Sequence, residues 1–123
     1  NLIQADSIDD LSLDEIEGEI AKIIGQFTVF QGAECAEAIK KWLKANGIPG
    51  IYLKLKVKAR GQFIVSQRWD EGKTTITLNG TQYGIEVSHL VFDNLSTAGL
   101  SRERWIEDFD CPSGQFLIDI EDI

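Results

Sequence analysis

The chain has 123 residues, 43% of them hydrophobic, which is enough for one domain with a buried core. Charged residues make up 26% and the net charge is −8, which argues against a general nucleic-acid binder and against docking on anionic membrane, although the lysines of residues 54–58 could form a small basic patch. No apolar run reaches membrane-spanning length, and no basic-then-apolar leader opens the chain.

Residues 1–11, rich in Asp and Ser, read as a loosely held arm, and 12–123 as a single domain. Ser12-Leu13-Asp14-Glu15 matches a capping box, and Ile16, Ile20, Ile23, Ile24 and Phe27 follow at helical spacing, predicting a first helix over 13–25 that Gly25 ends. Gly32 reads as a tight turn that opens a second helix over 33–45, with Asn46-Gly47 closing it and Ile48-Pro49-Gly50 turning.

The pattern then changes to alternation. Ile51, Leu53, Leu55 and Val57 alternate with Tyr52, Lys54, Lys56 and Lys58 as a strand with one wet face. Arg60-Gly61 is a turn, Gln62 to Gln67 a second strand, Asp70 to Lys73 a loop and Thr74 to Leu78 a third strand. After the turn at Asn79-Gly80, Thr81–Val87 and Leu90–Asp93 form a hairpin that turns at Ser88-His89. Ser101 caps a short helix reaching Phe109, Cys111-Pro112-Ser113-Gly114 breaks it, and Phe116, Ile118 and Ile120 mark a last strand. Helices first and an antiparallel sheet of about five strands after them give the class α+β. Trp42 and Trp105 fall on apolar helix faces and are expected to anchor the core.

Two cysteines, Cys35 and Cys111, do not make a disulfide scaffold, and sequence does not say whether they pair. One histidine, His89, leaves too few ligands for a zinc site of Cys and His, so neither metal nor cofactor is expected. Cys35 lies at the start of the second helix, where unpaired N–H groups and the helix dipole favour a thiolate and hold a developing oxyanion. The competing reading is packing, since Cys35, Ile39, Trp42 and Leu43 share one helical face.

A thiol nucleophile needs a base, oriented by Asn or Asp. The hairpin register sets position 82 opposite Asp93 and Asn94, but position 82 is Gln, which takes no proton at neutral pH. His89 sits at the hairpin tip and reads either as a solvated turn residue or, if the turn folds back, as the base. Asp93-Asn94 reads equally as a strand-ending turn.

Phe30-Gln31-Gly32-Ala33-Glu34-Cys35-Ala36-Glu37-Ala38-Ile39, Gly47-Ile48-Pro49-Gly50 and Asn79-Gly80-Thr81-Gln82-Tyr83-Gly84-Ile85-Glu86-Val87 resemble the papain-fold toxin 2 domains of bacterial polymorphic toxins. Val91-Phe92-Asp93-Asn94-Leu95, Gly99-Leu100 and Trp105-Ile106-Glu107-Asp108 continue the likeness, in order, over about residues 20–110. The resemblance implies a papain-like fold with a Cys, His and Asn or Asp site. Cys35 matches the nucleophile, Asp93 or else Asn94 the orienting residue, and Gln31 loosely the oxyanion glutamine. It further implies a bacterial chain, secreted or delivered into another cell as part of a longer protein. Two positions depart from the pattern: Gly32 stands where the family often has the first cysteine of Cys-x-x-Cys-Ala, and Gln82 stands where a histidine is expected.

Two functions follow from that resemblance. One is a cysteine hydrolase or acyltransferase acting on a protein amide through Cys35, with His89 as base and Asp93 orienting it. The other is an inactive papain-fold domain in which Gln82 fills the place of the base and the surface engages a protein such as an immunity protein. A nuclease is a poorer fit, because the carboxylates show no metal spacing and the charge is unfavourable.

Overall fold

The computed structural model describes residues 12–58, 63–77 and 79–123, so the expected arm over 1–11 and the expected turn at Arg60-Gly61 lie outside the described residues. Helix α1 spans Leu13–Ile24. Its capping box is closed both ways, with the Glu15 N–H donating to Ser12 Oγ and the Ser12 N–H donating to Glu15 Oε1, each at 3.1 Å. Gly25 ends it in right-handed backbone, so the freedom of glycine is not used there.

Helix α2 spans Gly32–Ala45. The left-handed residue that opens it is Phe30 (φ 77°), while Gly32, expected to supply the turn, is the first helical residue. The reason is Gln31: its Oε1 accepts from the Thr28 N–H (2.8 Å) and from the Thr28 hydroxyl (3.1 Å), closing a small loop around Phe30. At the far end Asn46 caps α2 and Gly47 takes a positive φ of 67°.

The sheet is built from β1 (Ile51–Val57), β3 (Thr81–Val87), β4 (Leu90–Asp93), β5 (Ser96–Leu100) and β7 (Phe116–Asp122). Its strand order is β5-β4-β3-β1-β7 and every pairing is antiparallel. The β3–β4 hairpin turns on Ser88 and His89, both at positive φ (50° and 69°), the two-residue turn whose twist suits adjoining strands. The short helix α3 (Arg102–Glu107) is capped by Ser101 and ends before Phe109, which joins β6 (Phe109–Asp110). The fold is therefore α+β, with two N-terminal helices on a five-stranded antiparallel sheet and a short helix ahead of the last strand.

Three expectations need correction. Of Gln62 to Gln67, the described residues 63–67 hold strand at β2 (Val65–Ser66), paired with β6 in a separate two-stranded sheet. Thr74 to Leu78 is not a strand in its described part. Thr75 makes a single bridge to Val65, while the Thr75 hydroxyl bonds Ile64 O and Thr77 O and the Thr77 hydroxyl bonds Thr81 O. Side-chain hydroxyls take up the backbone groups that a ladder would have used. Strand β5 was not expected, because Ser-Thr-Ala-Gly-Leu carries little strand propensity. A Cβ on Gly99 would lie 2.8 Å from Leu90 Cβ and 2.9 Å from the Phe92 ring, so close contact with β4 demands a residue without one.

Successive residues of a strand face opposite sides, which divides the core in two. On one side α1 and α2 bury Ile20, Ile24, Cys35, Ile39 and Leu43 against Tyr52, Ile85, Val87 and Phe92. On the other, Leu53, Leu55 and Val91 pack with Ile64, Ile76, Trp105 and Phe109. Trp105 is fully buried, whereas Trp42 is half-buried and packs against the first cluster.

Candidate functional site

Cys35 is the fourth residue of α2, and its N–H already donates to Gln31 O (3.0 Å) as part of the helical ladder. Its side chain is 0% exposed and belongs to the apolar cluster between the helices and the sheet. Burial pushes its thiol up to about 12, and the negative charge of Asp93 adds to the rise. Both influences oppose a thiolate. Cys35 and Cys111 are both free and both buried.

The α2 residue that approaches Gln82 and Asn94 is Gly32, one turn earlier. A Cβ built on it would lie 2.8 Å from Gln82 Oε1 and 3.4 Å from Asn94 Oδ1. Beside it opens a cleft of about 230 Å³ lined by Phe30, Gly32, Ala33, Glu34, Ile76, Thr77, Asn79, Thr81, Gln82 and Tyr83. Cys35 is not among the lining residues.

Gln82 is 1% exposed, and its Nε2 donates to Asn94 Oδ1 (3.0 Å) and, at longer range, to Asp93 Oδ2 (3.4 Å). Asn94 in turn donates through Nδ2 to Thr28 O (2.9 Å), tying the hairpin to the loop that enters α2. Gln82 lies opposite Leu55 in the β1–β3 register, so it points to the face opposite Ile85 and the Cys35 cluster.

Asp93, 2% exposed, is surrounded by donors. Arg68 grips it with both nitrogens, Nη1 to Oδ1 at 3.0 Å and Nη2 to Oδ2 at 2.7 Å. The Trp105 indole N–H adds 2.8 Å to Oδ2, and the Leu95 N–H 3.0 Å to Oδ1. Arg68 also donates through Nε to Asp108 Oδ2 (2.9 Å), which accepts from the Ser66 hydroxyl. Burial works against the charge on Arg68, but the hydrogen bonds and charges of Asp93 and Asp108 outweigh it and move its pKa upward. Two carboxylates around one guanidinium form a satisfied buried network, and among the described residues no buried side-chain polar atom lacks a partner.

His89 is elsewhere. It lines a groove of about 580 Å³ with Ile48, Pro49, Gly50 and Ile123, near the C-terminal end of α2. Val87↔Leu90 is the pair that closes the hairpin beside it, and Gln82 is five residues further down β3, about 16 Å away along the strand. The structure thus brings together Gln82, Asp93 and Asn94 beside Gly32, and does not bring His89 to them. Gln31 is engaged with Thr28. Among the described residues no group of three His, Cys, Asp or Glu could hold a metal ion.

Arg68 and Asp108 are the site's neighbours that sequence reasoning missed. An arginine in an irregular segment carries no periodic signal. The available clue was chemical: a carboxylate in a strand as apolar as Leu90–Asp93 needs a buried cation.

No curated protein and no solved structure matches the chain. The papain fold toxin 2 family matches residues 15–110, a span running from α1 through the helices, the hairpin and α3 to β6, and it includes Gly32, Cys35, Gln82, Asp93 and Asn94. With most of its length inside that match, the chain belongs to the papain fold toxin 2 family.

Proposed function

We propose that this domain is a toxin-family module whose papain-type site is structural, and that it works by holding a protein partner rather than by cleaving one. The observation that carries this reading is the contact between Gly32 and Gln82. Where the start of α2 meets the hairpin, one side offers no side chain and the other a neutral amide fixed by Asn94 and Asp93. The nearest candidate nucleophile, Cys35, is sealed in the core with a thiol held protonated. General-base catalysis is commonly worth a factor of about 10² to 10⁴, and neither partner for it stands in place. The net charge of −8 favours a basic protein partner, such as an immunity protein or a delivery component.

The catalytic reading makes Cys35 the nucleophile of a hydrolase or acyltransferase, with His89 as base and Asp93 as orienter. The two readings separate on a growth assay. Wild type and Cys35→Ala, expressed in a bacterial host at matched soluble levels, are expected to give superimposable growth curves. Arrest by the wild type that Cys35→Ala relieves would overturn the structural reading.

A further inference from the structure

The last strand presents an open edge. Among the described residues β7 pairs only with β1, and Leu117 (51% exposed), Ile118 (36%) and Ile120 (52%) stand in solvent. Three large exposed apolar side chains within four residues are unusual at a sheet edge, where short strands and charges normally discourage pairing.

The direction of the backbone groups follows from the flanking bonds. The Ile123 N–H donates to Gly50 O (3.0 Å) and the Lys58 N–H to Gln115 O (3.4 Å). In an antiparallel ladder bonded pairs alternate with non-bonded pairs, so Leu117, Asp119 and Glu121 turn their backbone groups toward β1. Phe116, Ile118, Ile120 and Asp122 turn theirs outward.

The side chains set the chemistry of a partner. Leu117, Asp119 and Glu121 lie on one face, and Phe116, Ile118, Ile120 and Asp122 on the other, so the middle of the strand is acidic on one side and apolar on the other. The inner neighbour answers this pattern: β1 sets Lys54 opposite Asp119, Lys56 Nζ reaches Asp119 Oδ2 at 2.8 Å, and Leu53 and Leu55 lie opposite Ile120 and Ile118. A second copy of β7 is the less complementary occupant: antiparallel pairing of Ile118 or Ile120 with Ile120 sets Asp119 against Asp119 or Glu121, and pairing Ile118 with Ile118 sets Asp119 against Leu117 and Glu121 against Gln115, so the carboxylates meet a like charge or no counter-charge.

We propose that the outer edge of β7 is a docking site for an extended protein segment in which basic and apolar residues alternate, added as a sixth strand. The segment's lysines or arginines face Asp119 and Glu121, and its apolar residues cover Ile118 and Ile120. This rests on the preceding reading only in taking the partner to be a protein. β7 lies outside the Gly32–Gln82 contact, so the alkylation and growth behaviour of Cys35 is independent of it.

The test uses the whole domain and a fluorescein-labelled peptide with the sequence of residues 50–58, which copies β1. Anisotropy should show saturable binding that weakens with added salt, and a peptide with both strand lysines changed to Glu should not bind. Ile120→Pro removes an outward N–H without touching the β1 ladder, a substitution that edge strands accept. It is expected to weaken binding by about tenfold or more, combining a lost hydrogen bond with lost apolar contact. Glu121→Gln, which keeps shape and backbone, should weaken it by a few-fold and flatten the salt dependence. Absence of saturable binding, equal binding by Ile120→Pro, or a salt-independent affinity would each overturn the proposal. So would concentration-dependent dimerisation of the free domain in sedimentation, abolished by Ile120→Pro, because the occupant would then be a second copy.

Discussion

Cys35 and Asp93 are ionisable side chains buried on opposite faces of the sheet, and their surroundings differ. Cys35, 0% exposed, sits on the helix-covered face among Ile20, Ile39, Ile85 and Phe92, where nothing compensates a charge. Asp93, 2% exposed, sits on the other face with a bidentate Arg68, an indole N–H and a backbone N–H directed at it. Burial is nearly equal; the difference lies in the donors and counter-charge that surround the carboxylate and not the thiol. The thiol is kept neutral and packs as an apolar residue, while the carboxylate organises the segments that carry Arg68, Asp108 and Trp105. A nucleophile–base–acid arrangement needs such groups to meet at one point, and this fold separates them.

That contrast predicts where the molecule is fragile. Trp105→Ala should be the most damaging change, because it empties a fully buried volume and removes a donor to Asp93. The cavity alone costs about 3–5 kcal/mol, measurable by urea unfolding. Trp42→Ala, at a half-buried position, should cost about 1–2 kcal/mol from lost apolar burial. Equal losses for the two would contradict the assignment of Trp105 to the network. Arg68→Met comes next. It leaves Asp93 and Asp108 without their shared cation and should cost about 3–5 kcal/mol at neutral pH. Reversing the loss is the sharper check: Arg68→Met/Asp93→Asn should recover part of it, since the more buried of the two carboxylates is then neutral.

The thiol face gives the smallest effect, and its sign is fixed. In the unfolded chain a cysteine ionises near pH 8.5, whereas burial, with the charge of Asp93 adding to it, pushes the folded thiol up to about 12. Above about pH 8.5 the unfolded state therefore releases a proton that the folded state keeps, and stability declines as pH rises toward 12. The decline from this group amounts to about 1–2 kcal/mol by pH 10, and Cys35→Ala lacks it. The stability gap between wild type and Cys35→Ala should accordingly shrink between pH 8 and 10. A constant gap would mean the thiol is not held protonated by the fold.

The same physics explains what could be read beforehand. Both long helices and the β3–β4 hairpin are written locally, in the Ser12–Glu15 cap, the helical spacing of isoleucines and the alternation of residues 81–87. The hairpin register alone set position 82 beside 93 and 94. The segment between β1 and β3 was not legible, because Thr75 and Thr77 spend their hydroxyls on backbone groups and Arg68 takes its position from two carboxylates distant in sequence. Strand β5 is selected by close approach to Leu90 and Phe92, not by propensity. The role of Gly32 also needed the structure: its importance lies in what a side chain there would touch, and a sequence does not display a missing Cβ's neighbours.

The most direct measurement is the pH dependence of alkylation at Cys35 in the native domain, with mass spectrometry separating it from Cys111. A thiol slower than a free cysteine throughout the neutral range is expected, with its midpoint displaced upward and no change in that profile on His89→Ala. In the same assay Gly32→Cys/Gln82→His should create a new thiol, at position 32, with a midpoint below the ordinary value, because an imidazole would then face it. A wild-type Cys35 midpoint already below about 8.5, lost on His89→Ala, would contradict the account and make this chain a working cysteine enzyme.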